Sequence, residues 1–209
     1  MGLNVYKLDL DQFRAIQGSG YSDLIEQVLE KNHDLIEEHD KIHSGCFTQY
    51  LTLAEAIRQI IGGKINKSAV PLFQYEHAAA LIAATIGEPL DPGLLREGKP
   101  VLWEEADIVL RDRLRREGLP ESAFPSIDHL FDRGPLLEVP IDLLNPLGTG
   151  YLTAEEVRQA KELIRSLNLD DKIGLECLSS GEEALDVLRS YCSWIIDAAE
   201  TGHSLFFHA

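Results

Sequence analysis

Apolar residues recur at helical spacing over most of the chain, which predicts a mainly helical protein. From Ser22 onward they return every three or four positions as far as Ile36, so we expect an amphipathic helix, or a pair of helices, ending near Gly45. Residues 74–86 leave no polar face. Because a helix that is apolar all round is usually buried, this segment is expected at the centre of the core, with Gly87 at its end.

Capping signals mark where several helices begin. In a capping box, a Ser or Thr hydroxyl and a carboxylate three residues later bind each other's backbone amides. The matching pairs are Thr52 with Glu55, Thr153 with Glu156, Ser179 with Glu182, and Ser180 with Glu183. We therefore expect helices from about 53 to 62, from 154 to about 168, and from 181 to 201. A polar helix over residues 104–117 and a short helix capped by Asp9 or Asp11 complete the set.

The two ends of the chain have strand patterns. Residues 3–8 alternate apolar and polar types, and residues 204–209 are rich in Leu and Phe. The predicted fold class is α+β, mostly helical, with a small sheet that pairs the N-terminal and C-terminal strands.

Prolines are concentrated in one segment around residue 130. Five of the 9 prolines fall between residues 120 and 146, which excludes a long helix or a central strand there. We expect a single domain over residues 1–209, with a Pro-rich connection at about 120–150 that holds at most short helical turns. A long connection of this kind is often a binding loop, or else a flexible linker.

The charge balance narrows the classes of partner. Against 35 Asp and Glu the chain has 19 Lys and Arg, a formal net charge of −16. Such a surface repels phosphate backbones and anionic lipids, so neither nucleic acid nor membrane is expected as a partner, whereas a basic protein is. The longest uncharged apolar stretch, residues 78–86, is far shorter than the roughly 20 residues of a membrane span.

The cysteines and the N-terminus predict a cytoplasmic protein. Cys46, Cys177 and Cys192 are odd in number and form no C-x-x-C pair, which favours reduced thiols over a disulfide framework. Asp9 and Asp11 follow the first residues directly, without the basic and apolar regions of an export signal.

Several patches resemble an uncharacterised bacterial family of unknown function, the YfbM-like proteins. The matching patches are Val5 to Leu10, Phe13-Arg14, Gly18 to Gly20, Ala56-Ile57, Ile60 to Gly62, Tyr75 to Ala78, Gly150 to Thr153, Glu156-Val157, Trp194 and Gly202 to His208. The resemblance implies an α+β fold and implies no reaction, substrate or cofactor.

The strongest chemical signal is a run of acidic residues and histidines between Glu30 and His43. His39 and His43 are separated by one helical turn, a spacing that allows two imidazoles to share a divalent metal ion. Glu30-x-x-His33 and Asp40-x-x-His43 also resemble the carboxylate-x-x-His unit of di-metal bundles, although those bundles take such units from two facing helices and both copies here lie on one segment. The plainer interpretation is a solvated face, because Ser22 to His43 holds seven acidic and two basic groups.

For the other candidates, the structural interpretation is favoured over the chemical one. His77 beside Glu76 could act as a base or a ligand, or could be a core histidine with one hydrogen bond. Asp128, His129, Asp132 and Arg133 could form an acid–base cluster, but no nucleophile motif accompanies them.

The remaining motifs are expected to be structural. Gly18-Ser19-Gly20 and Gly62-Gly63-Lys64 do not fit a phosphate loop and are interpreted as helix ends, so no cofactor is expected. Trp103 and Trp194 are expected as core anchors. The arginines at 111, 113, 115 and 116 are matched by neighbouring carboxylates, which predicts an ion-paired helix.

Two functional hypotheses follow. The first is a non-enzymatic protein-binding module of the immunity or inhibitor type, with a basic partner. The alternative is a metal-binding protein or a metal-assisted hydrolase that uses His39 and His43.

Overall fold

The structure is a computed structural model that describes residues 3–47, 49–91, 100–127, 129–133, 136–139 and 148–208. The helices are α1 (Leu10–Ile16), α2 (Ser22–Lys31), α3 (His33–His43), α4 (Leu53–Gly62), α5 (Phe73–Ile86), α6 (Pro100–Arg116), α7 (Ala154–Ile164) and α8 (Gly181–Thr201). The strands are β1 (Asn4–Leu8), β2 (Glu88–Leu90), β3 (Thr149–Leu152) and β4 (Ser204–His208).

The four strands form one small antiparallel sheet in the order β2-β1-β4-β3. Its two central strands come from the two ends of the chain, so the predicted fold class and the predicted pairing are confirmed. The sequence pattern does not predict strands β2 and β3. They have only three and four residues, too few for an alternating pattern to stand out from a loop.

The chain divides into two compact units. The first consists of residues 1–7, 89–134 and 150–209, and the second of residues 8–88 and 135–149. The expectation of a single domain stays a prediction. Among the described helices, none is both long and apolar enough to cross a membrane.

Helix α8 is the central helix of the first unit. It packs against α6, α7 and β4, and its buried face includes Tyr191, Trp194 and Ile195. Trp194 is thus a core anchor, as expected, and Trp103 is partly buried against the Phe131 ring.

The start of α8 corrects a sequence expectation. Ser180 is the N-cap residue, but its side chain makes no capping hydrogen bond. Instead the carboxylate of Glu105, from α6, accepts hydrogen bonds of 2.9 Å from the amides of Ser179 and Ser180. The Ser179 hydroxyl also donates to Glu105, and these bonds lower the pKa of this carboxyl. A hydrogen bond to a charged carboxylate is stronger than one to a neutral hydroxyl, so the bonds to Glu105 replace the local capping boxes predicted from the sequence.

At two other helix starts the local capping signals in the sequence predict the structure correctly. The boxes at Thr52 and Thr153 form as predicted, with both reciprocal hydrogen bonds present.

Helix α6 begins at Pro100, earlier than the predicted residue 104, because proline is well suited to the first helical position. In the described part of the Pro-rich connection, Glu121–Ala123 and Leu130–Arg133 form short 3-10 turns, in agreement with the expectation.

In the second unit, α4 and α5 pack together as the central pair, and α2 and α3 cover part of them. Helix α5 buries residues all round its circumference, as its composition predicts. The long amphipathic segment is indeed a pair of helices, which meet at the buried Asn32. Of the residues in α2 only Val28 is fully buried, and in α3 only Ile36. These two helices therefore expose most of their acidic side chains.

The glycines expected at helix ends serve that purpose in the second unit. Gly63 ends α4 in the left-handed conformation, with φ of 69°. The amide of Gly18 donates to the Ile60 carbonyl over 3.0 Å, and that of Gly20 to the Ile61 carbonyl over 2.8 Å. The two glycine segments therefore support the packing of the α1 end against the α4 end.

Candidate functional site

Three histidine side chains of the second unit lie close together. His39 and His43 lie one turn apart on α3, and their ring centroids are 4.5 Å apart. His77, from α5, places its ring centroid 4.6 Å from that of His39. We call these three side chains the imidazole cluster.

Phe73 supports the imidazole cluster from α5. Its ring centroid lies 6.2 Å from His39, 5.4 Å from His43 and 5.7 Å from His77. Phe73 and His77 are four residues apart, so one face of α5 carries both rings. The cluster is therefore built by two helices around one phenyl ring, and each imidazole is only partly exposed.

A carboxylate next to the cluster connects it to the start of α4. Asp40 accepts hydrogen bonds of 2.9 Å from the Leu53 amide and from the Tyr50 hydroxyl. The Tyr50 hydroxyl also accepts a hydrogen bond from the Gln74 side chain. Burial, followed by the bond to Asp40, raises the pKa of Tyr50, so this hydroxyl stays protonated at physiological pH. The network fixes the orientation of Asp40.

His39 has the most unusual surroundings of the three histidines. Both of its ring nitrogens are shielded from solvent and have no hydrogen-bond partner among the described residues. The nearest carboxylate oxygen, Oδ1 of Asp40, lies 3.9 Å from its Nδ1. Burial lowers the pKa of His39, and the neighbouring His43 lowers it further, while Asp40 opposes both effects. The neutral imidazole, the form that can bind a metal ion, is therefore favoured.

The rings of the cluster are in contact but are not arranged as a metal centre. Within the described ranges, no three His, Cys, Asp or Glu side chains are placed so that they could hold one ion. An ion at this site requires the rings to turn.

The other histidine of the sequence motif is not part of the cluster. His33 is the first residue of α3, whereas Glu30 belongs to α2, so the apparent Glu-x-x-His unit is interrupted by the helix boundary. The ring nitrogens of His33 lie 3.3 Å from Asp34 and 3.4 Å from Glu37. Its side chain is 62% exposed, which agrees with the solvated face proposed from the sequence.

Two of the four members of the acid–base cluster proposed near residue 130 lie outside the described residues, so that cluster stays a prediction. Asp128 and the side chain of Asp132 lie outside the described residues. His129 is exposed, and Arg133 pairs with Glu156 over 2.8 Å in the first unit. Arg133 also lies over the ring of Tyr151, 5.6 Å from its centroid.

The arginines of α6 line a shallow groove of about 420 Å³ in the first unit. Arg111 pairs with Asp107, Arg115 with Glu121, Arg113 with Asp171, and Arg116 with both Asp112 and Asp171. The helix is thus ion-paired, as expected. Since each guanidinium has a carboxylate partner, the groove offers no excess of positive charge to an anion.

In the sequence, His77 stands apart from the motif that contains His39 and His43. The four-residue spacing of Phe73 and His77 on α5 could have pointed to His77, because it places two aromatic rings on one face of that helix. The packing of that face against α3 depends on contacts between distant parts of the chain, which spacing does not contain.

The Asp40 network yields a prediction about stability. Replacing Asp40 by alanine removes the acceptor of the Leu53 amide and of the Tyr50 hydroxyl, so we expect the free energy of unfolding to fall by about 1–2 kcal/mol. Urea unfolding followed by far-ultraviolet circular dichroism measures this loss. The matched control is alanine at the exposed Lys41, which should leave stability nearly unchanged. Equal effects of the two variants would contradict the assigned role of Asp40.

The fold and the site together define a small, strongly acidic α+β protein with a surface cluster of imidazoles. A family model described as a domain of unknown function, DUF7691, matches residues 1–208, so the chain belongs to that family. No curated protein matches the chain. No solved structure matches it either. Membership of an uncharacterised family agrees with the resemblance described above, whereas the link to YfbM-like proteins remains an expectation.

Proposed function

We propose that this protein is a non-enzymatic protein-binding module of the immunity or inhibitor type, and that its partner is a basic protein. The observation that carries the proposal is the outer face of α3. Leu35 and Ile42 are 58% and 62% exposed, although both side chains are large and apolar. Because they are seven residues apart, they lie on the same face of the helix.

Carboxylates lie along one side of these two apolar side chains. Glu38 falls between them on the same face, and Asp34 and Glu37 are exposed beside it. We call Leu35, Glu38 and Ile42, with Asp34 and Glu37 at their border, the acidic α3 face. Two apolar anchors with negative charge along one side complement a surface that has apolar pockets and a basic border.

The overall charge supports the same class of partner. A formal net charge of −16 accelerates the encounter with a cationic protein and disfavours nucleic acid or an anionic membrane as partners. Cys46, Cys177 and Cys192 are all free, which supports the proposal of a reducing, cytoplasmic location in a bacterial cell.

Replacing Leu35 and Ile42 together by serine is expected to abolish partner capture without loss of stability, because both side chains are exposed. The immobilised protein is incubated with lysate of its own cells at low ionic strength, and the captured proteins are identified. We expect a basic protein that wild type captures, that the double variant does not capture, and that elutes as salt is raised to about 0.5 M, where screening is strong.

The matched control is Ile173→Ser, because Ile173 is 65% exposed but lies in the first unit. This variant should capture the partner as wild type does. Recovery of no partner, or of one that the double variant still captures, would contradict the proposed docking face.

A second candidate is favoured by the contacts of the His39 ring with His43 and with His77: a metal-binding protein or a metal-assisted hydrolase. Protein purified without a His tag should then contain about one equivalent of a transition metal, measured by elemental analysis. Less than about a tenth of an equivalent would count against it, because a tight site retains its ion during purification.

A further inference from the structure

We infer that the outer face of α6 binds a second copy of this chain, with the two α6 helices antiparallel and in contact at Ile108. Helix α6 belongs to the first unit, whereas the acidic α3 face belongs to the second, so the inference goes beyond the proposed function. We call the residues that form this outer face the α6 stripe: Val101, Glu104, Ile108, Arg111 and Arg115.

The α6 stripe has the spacing of a seam between two helices. Its members follow one another at intervals of three, four, three and four residues, which keeps them on one side of the helix. Two of them are large apolar side chains on the surface, since Val101 is 44% exposed and Ile108 is 53% exposed. Ile173 lines the same groove as Ile108 and is also exposed. Exposed apolar side chains that are grouped in this way indicate a protein contact.

The order of charges along the stripe makes it complementary to itself in one direction only. Glu104 precedes Ile108, and Arg111 and Arg115 follow it. In an antiparallel pair centred on Ile108, Glu104 of each copy falls beside Arg111 and Arg115 of the other, and Val101 falls beside the stem of Arg115. In a parallel pair Glu104 would meet Glu104, and such like-charge contacts are costly. The charges therefore select an antiparallel contact with twofold symmetry.

The local charge of α6 allows a second acidic chain to approach this face. The helix contains four carboxylates and four guanidinium groups, so its formal charge is zero, whereas that of the whole chain is −16. Repulsion between two copies is therefore weaker here than at an acidic face such as that of α3. A second copy fits the stripe in charge as well as in apolar character.

Arg115 is accessible to a second copy although it has a partner in its own chain. Its side chain is 65% exposed, and that of its partner Glu121 is also half exposed. A guanidinium group has five N–H donors, so Arg115 can bind Glu104 of the second copy and keep Glu121. Another carboxylate near the stripe, that of Asp112, pairs with Arg116 of its own chain over 2.8 Å. Asp112 therefore adds little repulsion to the contact.

Sedimentation equilibrium of the full chain, at concentrations from about 10 µM to about 0.5 mM, tests the inference. The buffer contains a reducing agent, because Cys46 and Cys177 are exposed and could form disulfide-linked dimers. We expect a reversible dimer with a dissociation constant in the micromolar range, since two helices bury less area than a standard interface. Ile108→Ser should weaken the dimer by about tenfold or more, because each dimer loses two apolar contacts, and its circular dichroism should equal that of wild type.

Charge reversal distinguishes the antiparallel pair from other contacts. Glu104→Arg should weaken the dimer by about tenfold, because two attractive contacts become repulsive. The matched control is Glu26→Arg at an exposed position of α2, which changes the net charge equally and should not weaken the dimer. Combining Glu104→Arg with Arg115→Glu exchanges the two charges and should restore association to within about threefold of wild type. Such a rescue excludes misfolding as the cause of the first effect.

Each alternative result contradicts a defined part of the inference. A chain that stays monomeric at the highest concentration would refute the second copy as the occupant of this face. A dimer that Ile108→Ser leaves unchanged would refute the contact through α6. A dimer that Glu104→Arg weakens no more than Glu26→Arg would refute the antiparallel direction. These results are independent of partner capture, which the Leu35 and Ile42 variant tests.

Discussion

Replacing Gly63 by alanine is expected to lower the free energy of unfolding by about 2–4 kcal/mol, because it combines two penalties. Gly63 has a φ of 69°, a conformation that alanine adopts only at a cost. A Cβ atom at this position would also lie 2.8 Å from the Cα of Gly18, which is backbone and cannot rotate away. The α1 and α4 ends would have to separate, and the hydrogen bonds from Gly18 and Gly20 would be strained.

The preceding glycine provides a matched control. Gly62 is the last residue of α4, and no atom lies within 4 Å of a Cβ built on it. Gly62→Ala should therefore stabilise the protein by up to about 1 kcal/mol, the difference in helix propensity. Both variants are compared by urea unfolding followed by circular dichroism. Similar effects of the two substitutions would contradict the close approach of Gly18 and Gly63.

Comparing tryptophan fluorescence with circular dichroism tests whether the two units unfold together. Trp103 and Trp194 both belong to the first unit, whereas Gly63 belongs to the second. If the units unfold together, Gly63→Ala shifts the tryptophan fluorescence transition as much as the circular dichroism transition. If they unfold separately, the fluorescence transition stays where it is in wild type. The same experiment thus tests the prediction of a single domain.

The second large effect concerns His208, at the end of β4. Burial lowers the pKa of this imidazole from an ordinary value of 6.5 to about 4. Above pH 6.5 the ring is neutral in the folded and unfolded chains, so it costs nothing. Below pH 6.5 the unfolded chain binds the proton and the folded chain does not, so stability falls as pH falls. Each unit of pH costs about 1.4 kcal/mol, so we expect a loss of about 2 kcal/mol between pH 6.5 and pH 5.

Carboxyl groups make little contribution in that window. Burial alone would raise the pKa of Asp107, but hydrogen bonds from Arg111 and the Ile127 amide hold it below its usual value of 3.8. The same balance lowers the pKa of Glu156, where the opposing bonds come from Thr153 and Arg133. A carboxyl group with a lowered pKa loses its stabilising effect only below the pKa of the unfolded chain, which lies near 4. The loss between pH 6.5 and pH 5 is therefore due to imidazole.

The measurement is urea unfolding of wild type and His208→Gln at pH 7.5 and pH 5, followed by tryptophan fluorescence. Trp194 is a suitable reporter, because its ring lies 6.2 Å from that of Phe207 on the same strand as His208. The variant should lose less stability than wild type on acidification, by about 2 kcal/mol. Phe207→Leu serves as the control, since it weakens the same strand without a titratable group. A pH dependence of His208→Gln equal to that of wild type would refute the prediction.

The acidic α3 face and the imidazole cluster lie on the same helix. His39 falls within one turn of both Leu35 and Ile42, and it lies toward the side on which Ile36 is buried. A bound divalent ion would therefore add positive charge next to a surface that we propose to bind a basic partner. Comparing partner capture with and without zinc connects the two proposals, since metal binding is expected to weaken capture.

The sequence by itself determined the local elements and much of their chemistry. Periodicity and caps are properties of neighbouring residues, so they placed the boundaries at Thr52, Gly63, Thr153 and Gly202 where the structure has them. The spacing of His39 and His43 put both rings on one face for the same reason. The strand patterns at the chain ends, together with a helical majority, were sufficient to predict the α+β class and the central strand pair.

Only the tertiary structure decided which distant groups meet. The Glu105 carboxylate caps α8 across more than 70 residues of chain, and it displaces the local capping boxes because a buried charge is the stronger acceptor. His77 joins His39 and His43 because the fold brings the Phe73–His77 face of α5 against the rings of α3, and such contacts depend on the shapes of whole faces rather than on sequence spacing. The candidate site is a product of that packing, which is why the sequence contained two of its histidines as a motif and the third only as an isolated residue.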